Sequence, residues 1–187
     1  MPDQDRRVEY FATRKPRRVP PPVDAASLLR LAREYLDRFG GPSANLRRVL
    51  ERHAQRSHRD HGSDAHALSA AVENVIAQMV EAGAVDDQRF AVAKAASLAD
   101  RGISRRMTVQ RLREKGIGAN DIDQAVAELH ASGGDLAAAL NLVKRRRLGY
   151  LRPEAERKLR RDKDLAVLLR GGFGFDVAKL ALAGEDG

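Results

Sequence analysis

Four closely spaced histidines are the residues of this chain best placed to do chemistry. They are His53, His58, His61 and His66, and His58 lies three residues before His61. An imidazole can bind a metal ion or act as a general base near neutral pH. The sequence has no cysteine, however, and structural zinc sites normally show tightly paired ligands. We interpret residues 58–64 as a polar loop between helices, with a metal-dependent enzyme that uses this loop as the alternative.

Two further motifs have the residue types of a catalytic or phosphate-binding site. Asp86 and Asp87 are adjacent carboxylates, but adjacent side chains diverge at a helix start, where aspartate caps free amides. The glycine-rich stretch 171–174 lacks the strand, the lysine and the spacing of a phosphate-binding loop. We therefore expect no catalytic residue, no metal and no cofactor, and a protein that is not an enzyme.

Positive charge is the strongest functional signal. The formal net charge is +8, which favours a polyanionic partner such as nucleic acid, or a complex that contains it. Segments 43–59, 104–116 and 144–163 are strongly basic, whereas 64–88 and 117–136 carry acids without Lys or Arg. We predict that stacking of equivalent helices aligns the basic segments along one face, which would attract phosphate or an acidic protein surface. Solvated helix faces with internal salt bridges are the alternative explanation. The residues that we predict to dock to a partner are Arg47, Arg48, Arg105, Arg106, Arg111, Arg113, Lys115, Arg145, Arg146, Arg147, Arg157, Lys158, Arg160 and Arg161.

The elements that carry these charges are predicted to be helices. Apolar residues recur at helical spacing, as at Val72, Val75, Ile76 and Met79, and strand-type alternation is nearly absent. The predicted helix starts carry capping residues, namely Asp24, Ser43, Asp86 or Asp87, Ser104, Asn120 or Asp121, and Asp135. An eighth helix is predicted to begin at Pro153, and Asp162-Lys163-Asp164 is the stretch most able to interrupt it. The fold class is therefore all-α, with nine helices.

These helices divide into three groups of three with a shared pattern. A shift of 63 residues places Leu46 on Val109 and Val49 on Leu112. A shift of 56 residues places Leu112 on Leu168, Gly116 on Gly172, Ile117 on Phe173 and Val126 on Leu182. Such a period is typical of stacked helical units that cannot bury their apolar faces alone. We predict an elongated array of three tandem three-helix repeats, at 24–83, 84–133 and 134–184, with Phe90, Leu112, Ile117 and Phe173 in the core.

Residues 1–23 are predicted to form a basic, proline-rich flexible tail. This segment lacks the apolar stretch of a secretory signal, and no apolar run approaches the roughly 20 residues that span a bilayer. The lack of cysteine fits a reducing compartment. We expect a cytoplasmic protein with no membrane contact, for which a monomer is sufficient.

Three short motifs resemble those of one known family. Residues 85–91, VDDQRFA, are similar to the L-D-D-x-R-F-A opening of the central repeat of the RecX regulatory proteins. Residues 112–117, LREKGI, resemble their L-x-x-K-G-I helix end, and residues 169–173, LRGGF, resemble their C-terminal L-x-R-R-G-F. Gly171 departs from the arginine that is common there, which weakens the expected basic contact at this position. The resemblance extends over about residues 25–183.

The resemblance implies a set of three tandem three-helix repeats that binds the RecA recombinase. Family members lie along the helical groove of the RecA filament on single-stranded DNA. They block strand exchange, ATP hydrolysis and coprotease activity, and thereby regulate DNA repair, recombination and the SOS response. The resemblance implies no catalytic residues. The alternative is a general nucleic-acid-binding helical protein without a dedicated protein partner, which would bind naked DNA as well as it binds a filament.

Overall fold

Nine α-helices and one short 3-10 turn account for most of residues 19–184, the part of the chain that the computed structural model describes. The helices are α1 Ala25–Phe39, α2 Ser43–His61, α3 Ala65–Glu81, α4 Asp87–Asp100, α5 Arg105–Glu114, α6 Ala119–Ala131, α7 Gly134–Arg146, α8 Glu154–Arg170 and α9 Phe175–Ala183, and the 3-10 turn is Gly149–Leu151. No strand occurs in this range, so the all-α prediction is confirmed. None of these helices is both long and apolar enough to cross a membrane. Most of the predicted tail, residues 1–18, lies outside the described residues.

Each set of three consecutive helices encloses a hydrophobic cluster of its own. The first is built on Leu28, Leu46, Leu50, Val72 and Ile76, the second on Ala91, Ala95, Leu112, Ile122 and Val126, and the third on Ala139, Val143, Leu168, Phe173 and Ala178. Alanine, leucine and valine dominate these clusters, so the helices pack mainly through aliphatic side chains. The fold is therefore the predicted set of three tandem three-helix repeats, whereas the predicted boundaries stay predictions. Leu112, Ile117 and Phe173 are buried as expected, but Phe90 is only half-buried at the edge of its cluster.

The middle helices of the second and third repeats end in the same way. Leu112 and Leu168 are both fully buried, and each accepts a hydrogen bond from the amide five residues later, at 3.1 and 3.3 Å. Gly116 and Gly172, which precede those amides, take φ values of +79° and +86°. Because an L side chain is disfavoured in this left-handed region, glycine allows the helix to close with this bond. The 56-residue shift in the sequence thus corresponds to a repeated helix end.

These two glycines also make the contacts between neighbouring repeats. A Cβ on Gly116 would lie 2.5 Å from the Cβ of Ala44 in the first turn of α2, and one on Gly172 would lie 2.9 Å from Cγ of Met107 in α5. Ala44 and Met107 are 63 residues apart, which is the other shift found in the sequence. A missing side chain therefore lets each repeat approach the middle helix of the repeat before it.

A carboxylate reinforces each junction. Asp87, in the first turn of α4, accepts hydrogen bonds from the amide and the hydroxyl of Ser43, at 2.7 and 2.5 Å. Asp135, in the first turn of α7, accepts a 2.6 Å bond from the amide of Arg105. Ser43 and Arg105 are the first residues of the middle helices α2 and α5, whose leading amides have no partner within the helix. Each repeat therefore caps the middle helix of the repeat that precedes it.

Several local predictions were wrong by part of a turn. Helix α2 continues to His61, so the polar loop shortens to residues 62–64 and His58 is helical. Ser43 and Asp135 lie inside the first turns of their helices and do not cap their own helices, because Pro42 and Gly133 occupy the cap positions. Gly118 caps α6 and Pro153 precedes α8 rather than starting it. Helix α8 runs unbroken through residues 162–164, because Asp164 is buried and paired.

Candidate functional site

The predicted docking residues lie on the surface but do not form a single patch. All of them are exposed except Arg47, which is half-buried and paired with Glu73 of α3. On α5, Arg105, Arg106 and Arg113 line a shallow concavity beside Asp135. Arg111 points to the other side of the same helix. The basic cluster of α5 is therefore divided between two faces.

Arg111 belongs to a groove between the second and third repeats. Its guanidinium side chain lines this groove together with Arg146 from α7 and Arg170 from α8, over a floor that includes Gly102 and Leu142. The close approach of α4 to α7 forms that floor, because a Cβ on Gly102 would lie only 2.6 Å from the Cβ of Leu142. The two repeats thus bring together arginines that are far apart in sequence.

The groove continues along α8. Arg146 and Arg170 also border a second concavity, whose further cations are Arg160 and Lys163. We call the two concavities together the junction groove, lined by Arg111, Arg146, Arg160, Lys163 and Arg170. Its cations come from three helices of two repeats, so its shape depends on how the repeats pack.

The junction between the first and second repeats carries a related feature. Arg48 of α2 lies beside Gly116, with its Nη2 atom 3.8 Å from where a Cβ would be. Arg48 and Arg111 are 63 residues apart and occupy equivalent positions on α2 and α5. An exposed arginine of the middle helix therefore accompanies both junctions.

A second basic surface lies on the other side of α8. Arg157, Lys158 and Arg161 border a hollow against α9, which contributes Lys179. The apolar side chains of this hollow are Tyr150, Leu165, Phe175, Leu182 and Ala183. We call it the α8–α9 hollow. The predicted cations of α8 are thus divided as well, with Arg160 in the junction groove and the other three in the hollow.

One buried ion pair holds α8 in place between these surfaces. Asp164 is 2% exposed and accepts bonds from Nε and Nη2 of Arg152, at 2.6 and 2.8 Å, and from the Gly149 amide at 2.9 Å. Burial raises the pKa of Asp164, but the bonds from Arg152 and Gly149 outweigh it and leave that pKa below its usual range. The bond to Asp164 in turn raises the pKa of Arg152. Arg152 borders the junction groove, but its charge is already matched.

The remaining predicted cations have local structural roles or stand apart. Arg145 donates a 2.6 Å bond from Nη1 to the carbonyl of Arg101, at the end of α4. Arg147 has a φ of +51°, and among residues 19–184 it is the one non-glycine residue in the left-handed region. Lys115 ends α5 away from the concavities that α5 borders. These three residues therefore lie at or next to the ends of helices, in addition to carrying positive charge.

Two of the histidines contact backbone carbonyls. His58 Nδ1 lies 2.7 Å from the carbonyl of Ser63, and His61 Nε2 lies 2.7 Å from the carbonyl of Pro20. Burial lowers the pKa of His53, and the neighbouring Arg56 and Arg52 lower it further. Within residues 19–184 no three His, Asp or Glu side chains are grouped as a metal site would require. The contacts of His58 and His61 connect α2 to the loop that follows it and to the segment that precedes α1.

Sequence reasoning missed three cations of these surfaces, Lys163, Arg170 and Lys179. Arg170 was visible only as part of a family motif, and its place in the groove depends on α4 and α7. Lys163 lies in residues 162–164, the stretch most able to interrupt α8. Lys179 is the single basic residue of α9, so local charge density did not mark it.

Stacked three-helix units with a cationic groove at their junction define a helical-repeat protein in which neighbouring repeats build the groove together. A family model described as RecX, second three-helix domain, matches residues 86–126. The Regulatory protein RecX of Myxococcus xanthus (strain DK1622) is 35% identical over 167 residues, which cover 89% of this chain and 87% of that protein. The chain therefore belongs to the RecX family of regulatory proteins.

A solved structure shares the fold. The crystal structure of regulatory protein RecX matches with a TM-score of 0.58 and 18% sequence identity, over 97% of this chain and 78% of that chain. At this identity the likeness concerns the arrangement of the helices. The resemblance to the RecX family that the motifs indicated is confirmed by these comparisons.

Proposed function

We propose that this protein binds the RecA filament on single-stranded DNA along its helical groove. Bound there, it inhibits strand exchange, ATP hydrolysis and coprotease activity, and so regulates DNA repair, recombination and the SOS response. It acts in the cytoplasm as a monomer, without a catalytic residue or a cofactor. Membership of the RecX family supports the class of function, and the cationic groove between repeats supports the mode of binding.

The observation that carries this proposal is the repetition of the junctions. Arg48 and Arg111 hold equivalent positions beside Gly116 and the junction groove, so similar charge recurs from one repeat to the next. A partner that also repeats, and that is negatively charged, can contact successive junctions at the same time. Linked contacts of this kind add as avidity even when each one is weak. Their electrostatic part decreases as salt screens the charges.

The test measures ATP hydrolysis by RecA on single-stranded DNA while this protein is titrated at two salt concentrations. We expect inhibition that needs more protein at the higher salt. The double variant Arg111→Glu/Arg146→Glu should need at least about tenfold more protein, because two favourable contacts become repulsive and tenfold corresponds to about 1.4 kcal/mol. Unchanged hydrolysis with the parent protein in excess would refute the proposal.

The control for each groove substitution is a single charge reversal away from the groove. Arg33 is exposed on α1, in the first repeat. Arg33→Glu reverses a charge in the same way as each groove substitution, and it should leave inhibition close to that of the parent. If the parent bound naked DNA as tightly as the filament, and the groove variant weakened both equally, the general nucleic-acid-binding alternative would replace this proposal.

A further inference from the structure

The α8–α9 hollow is lined by apolar side chains as well as by cations, and docking by charge alone does not require these apolar side chains. It is a cavity of about 520 Å³ with Tyr150, Leu165 and Leu182 among its lining residues. Phe175, the first residue of α9, also lines it and remains 57% exposed. Large apolar side chains are normally withdrawn from water, so an exposed aromatic ring at the edge of a hollow marks a contact surface.

The charged lining of the hollow is almost entirely positive. Arg157, Lys158 and Arg161 come from α8 and Lys179 comes from α9, and all four side chains are exposed. The one carboxylate of the lining, Asp164, is buried and already accepts both bonds from Arg152. The four cations therefore face the hollow without a free carboxylate among its lining residues.

An apolar aromatic surface beside a row of cations matches the chemistry of single-stranded nucleic acid. An unpaired base is flat and stacks on an aromatic ring whatever its identity, while the flanking phosphates bind Lys and Arg. Arg157 and Arg161 are four residues apart on α8, which spaces them by about 6 Å along the helix axis. That spacing lets consecutive phosphates be contacted while a base enters the hollow. A duplex keeps its bases stacked inside and cannot offer one without unpairing it.

We infer that the α8–α9 hollow binds single-stranded nucleic acid, with a base against Phe175 and phosphates on Arg157, Lys158, Arg161 and Lys179. The inference rests on the proposed function in that single-stranded DNA is the core of the proposed filament partner. It also goes beyond it, because the binding needs no recombinase. The hollow faces away from the junction groove on α8, so the two surfaces can be altered separately.

The experiment measures binding of a fluorescein-labelled oligothymidylate by fluorescence anisotropy, with the full chain and without recombinase. Phe175→Ala should weaken binding about tenfold, since stacking of one base is lost. Phe175→Tyr should retain nearly parental affinity because it keeps the ring. Phe175→Leu should resemble Phe175→Ala, because it keeps apolar bulk but has no flat face. Lys158→Glu/Arg161→Glu should weaken binding further and flatten its dependence on salt.

The control for loss of an exposed apolar side chain is Leu180→Ala. Leu180 is 53% exposed on the same helix but does not line the hollow, so its removal should leave affinity within about twofold of the parent. The inference is overturned if Phe175→Ala and Phe175→Leu bind as the parent does, or if a duplex of the same length binds equally well. It is also overturned if polyglutamate competes as well as an oligonucleotide of equal charge, because the site would then recognise an acidic peptide.

The outcomes separate this inference from the proposed function. The Phe175 variants, measured by anisotropy without recombinase, report on the hollow, whereas inhibition of ATP hydrolysis by the Arg111→Glu/Arg146→Glu variant reports on the junction groove. A protein that fails to inhibit RecA but loses oligonucleotide affinity on Phe175→Ala would refute the proposed function and leave the inference standing.

Discussion

Replacing Gly102 by alanine should loosen the contact between the second and third repeats. Gly102 follows the end of α4 with φ at +73°, and a Cβ there would lie 2.6 Å from the Cβ and 2.7 Å from the Cα of Leu142. Because the Cα of Leu142 belongs to the backbone of α7, the clash cannot be relieved by rotating a side chain. The substitution therefore adds overpacking to the cost of a left-handed alanine.

The chain contains a matched control for the conformational part of this cost. Gly83 follows α3 with φ at +66°, and a Cβ there would have no neighbour within 4 Å. Both glycine amides close their helix ends, at 2.9 Å to Val80 and 2.8 Å to Ala99. Gly83→Ala should thus cost about 1 kcal/mol of unfolding free energy, the usual penalty for alanine in this region. Gly102→Ala should cost about 1–3 kcal/mol more, the range for overpacking.

Thermal unfolding followed by circular dichroism measures the difference. For a chain of this size, 1 kcal/mol corresponds to a melting temperature shift of about 2–4 °C. Gly83→Ala should therefore lower the melting temperature by about 2–4 °C, and Gly102→Ala by about 4–16 °C. Equal shifts for the two variants would refute the reasoning, because they would show that the close approach to Leu142 carries no cost.

Three further tests, two of them with a control substitution, probe individual contacts by the same measurement. Asp164→Asn removes the buried anion that Arg152 pairs with and should cost roughly 3 kcal/mol at neutral pH. Folding lowers the pKa of Asp164, so the stability that its carboxylate provides is present at neutral pH and is lost on acidification below the usual carboxyl range. The Asp164→Asn variant should therefore lose less stability on acidification than the parent does. Arg147→Gly should raise the melting temperature by about 2–4 °C, because glycine accepts the left-handed conformation, whereas Arg147→Ala should not. Asp135→Ala removes the acceptor of the Arg105 amide at the start of α5 and should cost about 1 kcal/mol, while Asp123→Ala on the exposed face of α6 should cost almost nothing.

The helical repeat could be predicted because each repeat obeys local rules. Apolar spacing and glycine position mark a helix and its end within one stretch of chain, so the shift that aligns Gly116 with Gly172 was visible in the sequence. The same rules correctly marked Asp86 or Asp87 as the cap of α4, since Asp86 caps it, but they misjudged Asp135 and did not show that Asp87 bonds to another helix. An aspartate near a helix start resembles the cap of its own helix, and only the packing of repeats shows that it caps another one.

The candidate surfaces were predicted in composition but not in arrangement. Charge density correctly marked α5 and α8 as basic, yet it could not show that Arg111 and Arg113 face opposite ways. That division depends on which face of α5 the neighbouring repeat covers. Arg170 was likewise outside the predicted set, because its partners in the groove, Arg111 and Arg146, come from helices distant in sequence.

The two sides of each junction are different, and this difference determines where a further repeat could be added to the chain. Each later repeat supplies a glycine and an aspartate, and each earlier repeat supplies the start of its middle helix. The central repeat alone has both halves, since its Gly116 and Asp87 contact the first repeat and the first turn of its α5 is contacted by the third. Tandem duplication of that segment in the gene would therefore produce a longer protein. Its new junction would contain the same kinds of glycine and aspartate contact as the existing ones.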